Sequence, residues 1–195
     1  MKSKRLQFSV EMFCGLLLLL AMPVQPVASA PSAETYKQNA QGLEKQFEAF
    51  LKAFHRNDDK GMDEGFAIFR LPHAKEWFGN YFSPEDAERL SSAYNAEVND
   101  GENSLIGLMN GADPGSKYRV RCEPRGDAEA GQAKGGESGI QPLKSMSVEQ
   151  FRLEFRSWDH NQKFSFIANF VYVDGAYRYV GGGGVAFWAK PGGVR

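Results

Sequence analysis

Cysteine and histidine are scarce in this 195-residue chain, which has two of the first and three of the second. Cys14 falls inside an N-terminal leader, so Cys122 stands alone in the remainder and no intramolecular disulfide is expected. On a strand where it alternates with Val120, Cys122 reads as a small buried hydrophobe rather than as a nucleophile or an intermolecular bridge. His55, His73 and His160 contain no i, i+4 pair. The chain also lacks His-Glu-x-x-His, paired Cys-x-x-Cys and an Asp-x-Asp calcium loop, so nothing in it calls for a metal or another cofactor. No Gly-x-Ser-x-Gly elbow marks a serine nucleophile. An excess of one charge is missing too: 23 Lys and Arg face 24 Asp and Glu, a formal net charge of -1. That balance argues against nucleic acid as a partner, and no clustered basic run forms a polybasic membrane footprint.

The apolar run from Cys14 to Met22 is too short for a permanent span, being roughly half of the ~20 residues a bilayer requires. It follows Lys2, Lys4 and Arg5 and precedes Ala28-Ser29-Ala30, the order of charged, apolar and small residues found in a secretory leader. Cleavage after Ala30 is expected, with export to the periplasm or beyond. A lipidated cysteine would stand at the end of the apolar run, and Cys14 stands at its beginning. Residues 31–195 have the size of one domain with its own core.

From Glu34 to Arg56 the residues Leu43, Phe47, Phe50, Leu51 and Phe54 recur at helical spacing opposite Lys37, Glu44, Lys45, Glu48 and Lys52, which predicts an amphipathic helix. Asn57 to Gly61 are turn formers. Met62 to Tyr81 reads as short helices broken at Leu71-Pro72. Ser83-Pro84-Glu85-Asp86 combines an N-cap, a first-turn proline and acids favoured by the helix dipole. It predicts a helix to about Val98, closed by Asn99-Asp100-Gly101. The type of the apolar run Ser104 to Met109 stays open.

Beyond Pro114-Gly115 the pattern changes to alternation. Tyr118, Val120 and Cys122 oppose Lys117, Arg119 and Arg121, and Pro124 stops the strand. A polar, glycine-rich stretch near 125–146 is expected to be a mobile loop within a single domain. The next strand, Val148 to Trp158, sets Phe151, Leu153 and Phe155 against Arg152, Glu154 and Arg156. The strand from Lys163 carries apolar groups on both sides, with Phe164, Phe166, Phe170 and Tyr172 on one face and Ile167, Val171 and Val173 on the other, as a central strand does. Asp174-Gly175 supplies the two positive-φ positions of a tight hairpin. Gly181 to Gly184 reads as a bulge or bend that lets Phe187 and Trp188 pack back on the sheet. It lacks the lysine and the following helix of a phosphate-binding loop.

The expected fold class is therefore α+β, with N-terminal helices packed on a curved antiparallel sheet of about four or more strands. This order, with Val173-Asp174-Gly175-Ala176-Tyr177-Arg178-Tyr179 near its end, resembles the NTF2-like or SnoaL-like superfamily. An apparent insertion at Gly126 to Gly139 and the lack of a hairpin between the early helices depart from its pattern. The resemblance implies a cone-shaped pocket and no particular reaction. On that basis His73 is the candidate general base, and Trp77, Tyr94, Phe166, Phe170 and Tyr172 are candidate ligand-binding residues. Asp159 and His160 are adjacent in a turn and point apart, so they read as solvated rather than as an oriented pair. The leading functional expectation is a non-catalytic domain binding a small apolar molecule or a protein partner. The alternative is an isomerase- or dehydratase-like enzyme. A homodimer through the sheet is a further expectation.

Overall fold

The computed structural model describes residues 35–112, 116–125, 140–159, 161–183 and 186–189. The proposed leader, the Gly126 to Gly139 segment and His160 lie outside the described residues. Four helices precede the sheet: α1 (Ala40–Phe54), α2 (Asp59–Ala67), α3 (Ala74–Gly79) and α4 (Pro84–Ala112). Four strands come after them as an antiparallel meander of order β1-β2-β3-β4: β1 (Tyr118–Pro124), β2 (Glu149–Ser157), β3 (Lys163–Val173) and β4 (Ala176–Gly182). The class is α+β, with the helices N-terminal to a curved, open sheet. No described helix is long and apolar enough to cross a membrane.

Helix α1 begins later than its apolar spacing predicts. The Asn39 side chain caps it by accepting from Gly42 N at 2.9 Å. Just before it, Tyr36 N–H donates to Gly175 O at 2.7 Å, so the approach is tied to the β3–β4 hairpin instead of winding into helix. Asp58 caps the start of α2, its side chain accepting from Gly61 N at 2.9 Å. Ser83 caps α4 as expected, its hydroxyl accepting from Asp86 N at 3.2 Å. That helix does not stop at Asn99-Asp100-Gly101 but runs on to Ala112, and Leu105 and Met109 of the undecided apolar run are buried on it. The cause is tertiary: Gly101 lies against Tyr179, where an added Cβ would come within 2.9 Å of the ring. The glycine permits a close helix–sheet approach instead of ending the helix.

The hairpin has the conformation its residues require, with φ of 51° at Asp174 and 76° at Gly175. Further along β4 the register slips opposite Asn169/Phe170, and Gly181 has φ 133°. This is the bulge expected of the glycine run. The rings of the C-terminal aromatics, in contrast, pack on the helical side rather than on rings of the sheet. Phe187–Ala189 form a 3-10 turn, and the Phe187 and Trp188 rings pack on Phe78 of α3, Phe82 of the α3–α4 connection and Tyr94 of α4. This turn and Tyr81 anchor residues at the far side of the glycine-rich stretch. Ile140 is buried and donates to Trp188 O at 3.1 Å, and Leu143 N–H reaches Tyr81 O at 2.6 Å.

The inner face of the sheet meets α1. Phe155 lies opposite Phe164 and Leu153 opposite Phe166, and Phe47 of α1 packs edge-on to Phe155 at 5.8 Å. Helix α1 also reaches both outer strands. On the β1 side Glu44 accepts from Cys122 N at 2.8 Å, and His55, just past the helix, accepts from Tyr118 N at 2.7 Å. On the β4 side the buried Gln46 amide pairs with both Tyr177 N and Tyr177 O. One helix can serve both edges only if the sheet curls around it. Covered edges also deny other chains a strand-pairing template.

The His55 contact carries a pH dependence. Its Nε2 acts as an acceptor, so protonation would turn an acceptor into a donor facing Tyr118 N–H. Burial, and then the nearby Lys117, hold its pKa below the ordinary 6.5. The unfolded chain therefore takes up this proton first as pH falls. The native state loses stability from about pH 6.5 downward until the folded imidazole itself titrates. Unfolding free energies of wild type and His55→Gln between about pH 7 and about pH 5 should converge as pH falls, and parallel curves would refute the assignment.

Candidate functional site

The concave face of the sheet, where a cone-shaped pocket was expected, is filled. A void of about 20 Å³ remains there among Phe47, Phe69, Leu153, Phe166 and Phe170. The rings around it are held edge-on or tilted, such as Phe47–Phe69 at 4.4 Å and Phe69–Phe170 at 6.1 Å. Phe155 stacks nearly parallel on both Phe164 and Phe166. Among the described residues, aromatic side chains occupy the space between α1 and the sheet around this void.

An open groove of about 390 Å³ lies next to that core, between the second half of α4 and the ends of β3 and β4. Helical spacing brings Glu97, Asp100, Ser104, Leu105 and Leu108 to one side of it, while Phe166, Ile167, Tyr179, Gly182 and Gly183 form the other. The Tyr179 ring is wedged between two glycines. An added Cβ at Gly101 would meet the ring at 2.9 Å, and one at Gly182 would meet the hydroxyl at 3.2 Å. Burial, then the Glu97 carboxylate, push the Tyr179 phenol well above its ordinary pKa, so it is a neutral hydroxyl at physiological pH. The groove thus has an apolar floor of Leu105, Phe166 and Ile167 and a rim of two carboxylates and two hydroxyls. Such a surface suits a molecule with an apolar body and a donor-bearing end.

The candidate residues are not gathered in one place. His73 is exposed at the start of α3 with φ 47°, its side chain makes no capping bond, and neither the groove nor the small void includes it. Trp77, one turn on, directs its ring to Tyr81 at 4.9 Å and Phe78 at 5.1 Å instead of sharing a wall with His73. Phe170 is core. Tyr172 packs edge-on to Tyr177, and its hydroxyl donates to Tyr36 O. Of the five ligand-binding candidates, Phe166 alone lines the groove. Cys122 is buried, and burial, then Glu44, raise its thiol pKa far above the usual range, which makes it a poor nucleophile.

Tyr94 has a structural role. Its hydroxyl accepts from Leu71 N at 2.8 Å and donates to Tyr179 O at 3.0 Å, joining the α2–α3 connection to the outer edge of β4. Tyr94→Phe leaves a buried N–H and a half-buried carbonyl without this partner. It should cost about 1–3 kcal/mol in urea unfolding with an unchanged denaturant slope.

The residues that sequence reasoning missed are those of α4 beyond Val98. The spacing Leu90, Tyr94, Val98, Leu105, Met109 continues one apolar stripe through the apparent stop and would have signalled the longer helix. Within that stripe, between Val98 and Leu105, Glu102 is buried with Oε1 lacking a hydrogen-bond partner. Burial, then Asp63, raise its pKa, while Arg70 lies 3.4 Å from the other oxygen. It does not line the groove. Among the described residues no group of three or more His, Cys, Asp or Glu is placed to hold a metal ion. No protein-family model matches the chain, and neither curated proteins nor solved structures provide a match.

Proposed function

We propose that the chain is an exported, non-catalytic binding domain that holds a small amphipathic molecule in the groove between α4 and β3–β4. The observation that carries this reading is how the interior is divided. The concave face is filled down to about 20 Å³, while the adjoining groove keeps about 390 Å³ open. That volume is within the range of about 300–1,000 Å³ usual for small-molecule sites. The ligand's hydrocarbon part rests on Leu105, Phe166 and Ile167, and an amine or hydroxyl end meets Glu97 and Asp100.

Export is supported by Lys2, Lys4 and Arg5, the short apolar run and Ala28-Ser29-Ala30. Kinship with NTF2-like domains is supported by helices followed by an antiparallel meander closing on an Asp-Gly hairpin. It extends to the order of elements and not to a large cone. An isomerase- or dehydratase-like enzyme with His73 as base has less support, because His73 stands on an exposed helix start away from the groove.

Two measurements test the proposal. A phenylnaphthylamine probe displaced by a long-chain alkylamine should bind saturably, and Ser104→Trp, a surface change that fills the groove, should weaken binding by about tenfold or more. Unsaturable binding, or binding indifferent to Ser104→Trp, overturns the groove assignment. N-terminal sequencing of protein recovered from the periplasm or medium should begin at Pro31, and an uncleaved cytoplasmic product would refute export.

A further inference from the structure

The outer face of β1–β3 concentrates positive charge in a chain whose formal net charge is -1. Antiparallel register places Arg119 opposite Arg156 and Arg156 opposite Lys163, a row of three cations across three strands. Like charges directly opposed on one sheet face repel. The next row is Arg121, Glu154 and Ser165, and the one after it is Glu123, Arg152 and Ile167. At the other end, Trp158 N–H donates to Lys117 O at 2.8 Å, which extends the β1–β2 ladder by one pair.

Six cations, Lys117, Arg119, Arg121, Arg152, Arg156 and Lys163, therefore share this face with the carboxylates of Glu44, Glu123 and Glu154. The local net charge is +3. Glu154 is bridged by Arg156 Nε at 2.5 Å and Lys163 Nζ at 2.6 Å, and Arg121 lies 3.4 Å from Glu123. Asp159, at the border, is turned onto Ser157 and Asn161. Between Arg119, Arg121 and Arg156 the surface opens into a recess of about 400 Å³, with Glu44, Val120 and Glu154 on its walls.

The second observation is Trp158 itself. It is 65% exposed, whereas the chain's other described tryptophans are packed in the helical aromatic cluster. An exposed indole beside a grid of cations matches the boundary of a bilayer, where tryptophan sits at headgroup depth and lysine and arginine meet lipid phosphates.

We propose that the outer face of β1–β3 is a docking surface for an anionic lipid bilayer, with Trp158 seated among the headgroups and the Arg119–Arg156–Lys163 row against their phosphates. Neither Trp158 nor any charged residue of this surface lines the groove, so it stands or falls apart from the binding reading above. The recess between Arg119 and Arg156 gives one headgroup phosphate a place to enter between guanidinium groups. The groove adjoins this face at Ile167, which stands in the row of Glu123 and Arg152 and also lines the groove.

The test is co-sedimentation of the purified protein with vesicles of phosphatidylcholine alone and of phosphatidylcholine mixed with phosphatidylglycerol. Binding should require phosphatidylglycerol and weaken with added salt. It should fall about tenfold or more in Arg119→Ser/Arg121→Ser, two exposed positions on β1. Trp158 emission should shift to the blue on the anionic vesicles, a shift that Trp158→Phe removes. Equal binding to both vesicle types, or no binding to either, overturns the proposal. So does retention of binding in the double variant, or capture of single-stranded DNA with the same charge dependence but no vesicle binding. A stable dimer in light scattering that shields Trp158 from a soluble quencher also overturns it. The wild-type vesicle and quenching measurements remain decisive even if the double variant folds poorly.

Discussion

Gln46→Leu should lower the unfolding free energy by about 2–5 kcal/mol, because it strands two buried backbone groups at once. The Gln46 side chain is fully buried on α1; its Nε2 donates to Tyr177 O at 2.7 Å and its Oε1 accepts from Tyr177 N at 2.9 Å. Leucine has similar bulk, so the core stays filled, and the loss is the partner of an edge-strand N–H and C=O that water cannot reach. Gln46→Glu separates the two halves of the effect. It keeps an acceptor for Tyr177 N–H but sets a carboxylate against Tyr177 O, and it should be destabilising at neutral pH and recover in part when acid protonates the side chain. Equilibrium urea unfolding followed by far-ultraviolet circular dichroism reads both. A loss under about 0.5 kcal/mol for Gln46→Leu would mean that the β4 edge is solvated and that the sheet does not curl closely around α1.

Trp188→Ala should cost about 3–5 kcal/mol, the range for deleting a large buried aromatic. Trp188 is 2% exposed and lies among Phe187 at 5.3 Å, Phe82 at 5.6 Å, Phe78 at 6.1 Å and Trp77 at 6.3 Å. These rings, with Tyr81 and Tyr94, form a second aromatic cluster whose ring contacts do not merge with those around Phe47 and Phe155. The indole joins both ends of that cluster, touching Trp77 and Phe82 as well as Phe78, and Trp188 O also receives Ile140 N–H. The variant should therefore weaken amide protection at Ile140 and Leu143 in hydrogen exchange as well as global stability. Against a total near 5–15 kcal/mol for a typical domain, such a loss is a large share of the whole. A loss below about 1 kcal/mol would place the C-terminal turn outside the cooperative core.

Much of the fold was legible because the residues responsible act within a few positions of one another. Alternation in 118–124 and 149–157 set those strands and their inward faces, and Ser83 with Pro84 set the start of α4. Where local signals were weighed against packing, they lost. Asn99-Asp100-Gly101 is a sound stop signal in an isolated helix, since a glycine there costs about 1 kcal/mol relative to alanine. Contact with Tyr179 outweighs that preference and carries the helix to Ala112. The candidate site was less legible for the same reason. His73 and Trp77 are one helical turn apart, yet one is exposed and the other is clustered with further rings, while Tyr94 of α4 is a buried hydrogen-bond hub.

The amino-acid sequence by itself determined the α+β class, the order of helices and strands, and the Asp174-Gly175 turn, because each depends on short-range sterics and on apolar periodicity. Only the tertiary structure decided that the inner face of the sheet meets α1 and is filled. The same is true of the groove beside α4 and of the union of Arg119, Arg156 and Lys163 in one row. Each of these joins residues far apart in the chain, and their distances exist only once register and packing have brought the strands and helices together.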